Sequence, residues 1–195
     1  MYGLKEEEAS FKHIWFATEK ASWWGDGEWV SEPDVVPFKY KGYDCEVERI
    51  VAFEGNKHTR HTFGGHLCGY IRIPESHPLY NKKVFDLDDD LDISVHGGLT
   101  FGELIEGEYW IGFDCAHTGD YMPSIEYLKK TNPTIMNVEK MFPIPKGMED
   151  HPLFNPVYRN VEYVINEIKD AVDQLAEMEK PVPTEGVNNT QIGDI

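Results

Sequence analysis

NPVYRNVEYVINEIKDAVDQLAEMEK, residues Asn155–Lys180, decides the fold class. Val157, Val161, Val164, Ile165, Ile168, Val172 and Leu175 recur at steps of three and four, with charged residues between them. That period puts one apolar stripe on a helix and leaves the opposite side for water. Asn155 suits an N-cap and Pro156 the first helical position, while Pro181 and Pro183 close the segment. The expectation is one long amphipathic helix from Asn155 to about Lys180, followed by a polar tail over Pro181–Ile195.

Upstream the period changes from helical to alternating. In Tyr43–Phe53, Tyr43, Cys45 and Val47 share one side of a strand, and the segment ends in Ile50-Val51-Ala52-Phe53. Leu67, Gly69, Ile71 and Ile73 alternate with Cys68, Tyr70 and Arg72, and Pro74 ends that run. The two strands are expected to pair as a hairpin with a long connection. Tyr109–Phe113 is a short buried strand. Pro33 and Pro37 read as the bounds of a loop. Tyr2–Lys20 has weak helical character, with Glu6–Glu8 favourable at a helix N-terminus. Trp23, Trp24 and Trp29 surround the turn signal Gly25-Asp26-Gly27 and read as core anchors. Pro123–Pro152 holds five prolines and is expected to be mostly irregular, with a short helix near Ser124–Lys130. Strands first and a long helix last predict an α+β protein. It is a single domain over residues 1–180, a mainly antiparallel sheet covered by the C-terminal helix.

Composition narrows the partners. The 195 residues carry a formal charge of −17, with 41% hydrophobic and 13% aromatic residues. That is a globular composition with too few cations to meet a phosphate backbone, which argues against direct nucleic-acid binding. Such acidity suits solubility, cation binding or a basic protein partner. Cys45, Cys68 and Cys115 are odd in number and widely spaced, the pattern of a reducing compartment rather than a disulfide framework. The N-terminus has no apolar signal core, and no run reaches the roughly 20 apolar residues of a membrane helix. The expectation is a soluble, cytoplasmic protein.

Chemistry concentrates in VHGGLTFGELIEGEYWIGFDCAHTGD, Val95–Asp120. Asp114, His117 and Asp120 follow an apolar strand at three-residue steps. Asp and His are ligands for Zn or Mn, and a carboxylate beside His can orient it as a general base. The same aspartates also suit capping of a turn. His96-Gly97-Gly98 joins an imidazole to two residues that allow positive φ or close backbone approach to an anion. His58, His61 and His66 form a second cluster beside Gly64-Gly65, and His66 and Cys68 would share a strand face. These residues define the candidate site. His66, His96, Asp114 and His117 are candidate metal ligands. His96, His117 and Asp120 are candidate catalytic groups. Gly97, Gly98, Tyr70 and Trp110 are candidate ligand contacts. The metal assignment requires His96, Asp114 and His117 to meet in space.

Other readings fail on spacing. Asp86–Asp92 resembles a calcium loop, but its sixth position is Leu91 and its twelfth Gly97. The two His-Thr pairs lack the spacing of two-histidine phosphodiesterases, and no phosphate loop, dinucleotide fingerprint or nucleophile elbow is present. Cys115 lies between Asp114 and Ala116, and nearby acidic groups raise a thiol's pKa and favour a structural role.

HPLY (His77–Tyr80), VHGGLTF (Val95–Phe101) and WIGFDCAHTGD (Trp110–Asp120) resemble a family of small proteins encoded by bacteriophages and some bacteria. CGYIRIPESHPLY (Cys68–Tyr80) and YRNVEYVINEIKDAVDQL (Tyr158–Leu175) extend the likeness over about Tyr43–Leu175. The family brings no established activity. What the resemblance implies is a phage accessory protein acting in a bacterial cytoplasm, with His58 and His61 in an insertion outside the family pattern. Three functions are compatible with these residues. One is a metal-dependent hydrolase of a small phosphate- or nucleotide-like substrate. Another is a non-catalytic protein that sequesters a nucleotide signal of antiphage defence. The third is an acidic inhibitor of a basic host protein.

Overall fold

Alternating apolar residues build a five-stranded antiparallel sheet in the order β1-β2-β3-β5-β4. The strands are β1 (Val35–Tyr40), β2 (Tyr43–Glu54), β3 (His61–Ile73), β4 (Phe101–Ile105) and β5 (Glu108–Asp114). Among the described residues three α-helices accompany them, α1 (Ala17–Trp24), α2 (Pro123–Thr131) and α3 (Val161–Met178), with a short 3-10 turn at Glu28–Val30. The computed structural model describes residues 17–54, 61–84, 93–131, 146–148, 150–151 and 155–179. The expected helix before Ala17, His58, the acidic run Asp86–Asp92, much of the proline-rich stretch and the tail Pro181–Ile195 lie outside the described residues. The protein is α+β, as its periodicities predict.

One sheet face is oily. Cys45, Val47, Leu67, Ile71, Ile73, Ile111 and Phe113 are buried there, against Val161, Val164, Ile165, Ile168, Val172 and Leu175 of α3. Each buried aliphatic side chain of this kind contributes roughly 1.5–3 kcal/mol. Gly69 sits under the contact. A Cβ there would fall 2.6 Å from Phe113 and 2.9 Å from Ile168, so its absence lets strand and helix close together. His77 clamps the loop after β3 onto the helix. Its Nδ1 accepts from the Leu79 amide at 3.0 Å, which leaves Nε2–H to donate to the Leu175 carbonyl at 3.1 Å.

Several expectations are corrected. Residues 35–40 form a strand, not a loop bounded by prolines. Pro37 is tolerated because β1 is an edge strand, where one rim has no partner to serve. The β2–β3 connection is short, only residues 55–60, because β3 begins at His61. β4 was not expected at all. It pairs with β5 through Glu106-Gly107, as β1 pairs with β2 through Lys41-Gly42, and all four turn residues have positive φ. Two consecutive left-handed residues match the twist of a tight hairpin.

The long helix also starts later than Asn155. Its N-cap is Asn160, whose side chain accepts from the Tyr163 amide at 2.9 Å. The preceding residues are drawn off as a strap. Val157 donates its amide to Gly119 at 2.9 Å and accepts from the Tyr121 amide at 3.0 Å, forming a parallel bridge with Asp120. Backbone groups used there are lost to an earlier helical turn.

The strap's next residue, Tyr158, enters a buried polar knot. Arg49, fully buried, bonds Glu32 at 2.8 Å, Asp34 at 2.7 Å, the Gly65 carbonyl at 2.8 Å and the Tyr158 hydroxyl at 2.7 Å. Lys20 of α1 donates to Asp34 and to the Glu32 carbonyl. Trp24 and Trp29 are buried, as expected for anchors, whereas Trp23 is only partly buried.

Candidate functional site

The site assembles where β5 ends. After Asp114 the chain turns through residues 115–120, and that turn is held by its own aspartates. The Ala116 amide donates to Asp114 Oδ1 at 3.0 Å, and the His117 amide donates to Asp120 Oδ2 at 2.9 Å. The capping role open to these aspartates is thus real, and it aims the turn's side chains.

His96 arrives from the loop before β4. Its Nε2 lies 2.7 Å from Asp120 Oδ2, and its Nδ1 lies 2.9 Å from the Tyr163 hydroxyl of α3. Its amide donates to Glu167 at 2.9 Å. Gly97 and Gly98 both take positive φ, and Gly97 does more than turn the chain. A Cβ on Gly97 would lie 2.1 Å from His117 Cε1, so the missing side chain is the space the second imidazole occupies. The two rings meet edge to face, 5.5 Å between centroids.

Asp120 is the hub. Besides His96 and the His117 amide, it accepts from Arg159 Nε at 3.0 Å. Burial pushes its carboxyl up, but the bonds from His96, Arg159 and the His117 amide outweigh that and hold it below the usual carboxylate range. Arg159 also stacks over the Tyr163 ring at 4.8 Å.

His96, His117 and Asp120 offer ligand atoms that all lie within 4.8 Å of one another. Tetrahedral ligands about 2 Å from one ion stand about 3.3 Å apart. The observed separations, 2.7 Å for His96 Nε2–Asp120 Oδ2 and 3.9 Å for His117 Nδ1–Asp120 Oδ2, bracket that value. His117 Nδ1 is buried without a hydrogen-bond partner, an expensive state for a ring nitrogen unless something occupies it. This group of donor atoms could hold a metal ion.

No family model, curated protein or solved structure matches the chain.

The remaining candidates fall around this group. Asp114 Oδ1 is 3.7 Å from His117 Nδ1, but its oxygens are engaged by Thr100 at 2.8 Å and by the Ala116 amide. It flanks the three rather than joining them. His66 stands outside the group too. Gly64 and Gly65, both at positive φ, precede it where the β2–β3 register shifts. Its Nδ1 is buried and unpartnered. Burial lowers its pKa, against the pull of Asp114 and Asp120. Tyr70 and Trp110 sit on the sheet face opposite α3, apart from the three ligand atoms. Cys115 is buried, and burial, then Asp120, push its thiol well above the usual range, so it is no thiolate nucleophile. Arg159, Tyr163 and Glu167 were missed from the sequence. Their spacing of four was visible, but on a helix it reads first as a solvated flank of the apolar stripe.

Proposed function

We propose that this protein is a divalent-cation-dependent hydrolase of a small phosphate-bearing or nucleotide-like substrate. His96, His117 and Asp120 would hold the ion, Zn or Mn. The observation that carries the reading is the convergence of these three ligand atoms around a buried, unpartnered imidazole nitrogen. A bound ion of this kind supplies an acidified water for attack on phosphorus. The chain's own groups do the rest. Arg159 and the His117 amide keep Asp120 ionised, and Tyr163 sets the His96 ring through Nδ1. Asp114 flanks the cluster, 3.7 Å from His117 Nδ1, and braces the turn that carries that ring. The likeness of HPLY, VHGGLTF and WIGFDCAHTGD to phage-encoded proteins supports an accessory role during infection of a bacterium.

The test starts with metal analysis of protein purified without a histidine tag. About one Zn or Mn per chain is expected, with a melting temperature that falls on chelation. A metal-free protein indifferent to EDTA, Zn and Mn ends the reading. Incubation with a panel of nucleotides, followed by denaturation and chromatography, then separates hydrolysis from sequestration. New products, lost in Asp120→Asn, are expected; tight binding with intact recovery would replace the hydrolase by a nucleotide sponge.

A further inference from the structure

The sheet face turned away from α3 carries a groove of its own. The strand registers align Glu46, Tyr70, Gly112 and Phe101 in one row across four strands. The next row runs Arg72, Trp110, Glu103. Gly112 has no side chain, and Tyr70 lies where one would be: a Cβ there would meet the Tyr70 ring at 2.6 Å. Tyr70 packs edge to face on Phe101, 5.5 Å between centroids. The result is an aromatic-floored cavity of about 380 Å³ that also includes Trp110. Cavities of a few hundred Å³ are the usual size of small-molecule sites.

Charge selects what enters. Among the described residues, the lining contains Glu46, Glu48, Glu106 and Glu108 and no lysine or arginine. Glu46 and Glu48 come from β2 at one end, Glu106 and Glu108 from the β4–β5 turn at the other. Arg72 neutralises Glu108 from outside the groove. Carboxylates therefore flank an aromatic floor at both ends. Aromatic faces attract desolvated ammonium groups, and carboxylates complete the match.

We propose that this groove binds a small organic polycation of the polyamine type, its terminal ammonium groups held by Glu48 and Glu106 and its alkyl stem lying over Tyr70 and Trp110. The inference is independent of the imidazole site.

Calorimetric titration with spermidine at about 150 mM salt, where surface charges beyond about 8 Å are screened, tests it. Saturable binding of one spermidine per chain is expected. It should weaken at least tenfold in Trp110→Ala and in the isosteric double variant Glu48→Gln/Glu106→Gln. The remote neutralisation Glu19→Gln/Asp170→Asn should leave it unchanged. Absence of saturable binding, equal affinity in both groove variants, or an equal loss in the remote variant would overturn the proposal, the last by showing only diffuse attraction to an acidic protein. Circular dichroism identifies a misfolded Trp110→Ala, and the charge-only variant then decides.

Discussion

At the residue scale, the two glycines after His96 separate conformational need from space. Both have positive φ, but only Gly97 has a neighbour where its Cβ would go. Gly98→Ala should cost about 1–2 kcal/mol, the left-handed penalty alone. Gly97→Ala should cost more and displace His117, weakening metal binding, whereas Gly98→Ala leaves the ligand geometry intact. Urea denaturation and zinc titration of the two variants measure the difference. His66 sets a pH limb. Its folded pKa lies below the ordinary value of about 6.5, so above that pH it contributes no loss of stability. As pH falls, the unfolded chain takes the proton first, and stability declines until the folded pKa is reached. His66→Phe should therefore lose less stability than the parent between pH 7 and 5, read as the shift in urea midpoint.

At the scale of elements, what was legible depended on whether one cause dominated. Tyr43–Val47, Leu67–Ile73 and Tyr109–Phe113 each bury one side in the core, so their apolar pattern survives in the letters. Val35–Tyr40 was hidden by Pro37, because a breaker in mid-sheet is harmless at an edge. Phe101–Ile105 was hidden by exposure: Leu104 and Ile105 are about half accessible, so the strand has no apolar face to announce it. The helix start was misplaced because Asn155-Pro156 and Asn160 are both good starts locally, and a bridge to Gly119 and Tyr121 chooses between them. Asn160→Ala should cost about 1 kcal/mol and Asn155→Ala almost nothing, a comparison thermal melts resolve. In the site, His96, His117 and Asp120 were readable because metal-ligand residue types cluster near strand ends. Which carboxylate faces both rings was not readable, since Asp114 and Asp120 differ only in the turn that follows. Tyr70 and Trp110 were singled out as contacts and found in another hollow.

At the scale of the molecule, Arg49 joins β2 to the segments around it: Glu32, Asp34, the Gly65 carbonyl and Tyr158 all converge on one guanidinium with no access to water. Arg49→Met leaves buried Glu32 without its ion-pair partner, Lys20 remaining on Asp34, and should cost about 3–5 kcal/mol, seen as a lower midpoint in denaturant melts. The same network anchors the strap whose next residue, Arg159, holds Asp120. That strap has a kinetic corollary. The hairpins close over short loops, but the His96 ring needs Tyr163, 67 residues on, and the Asp120 carboxylate needs Arg159, 39 residues on. Contacts so distant in the polymer form last. A nascent chain with its sheet complete thus still lacks the partners of His96 and Asp120, and that cluster closes with arrival of the final helix rather than with collapse of the sheet.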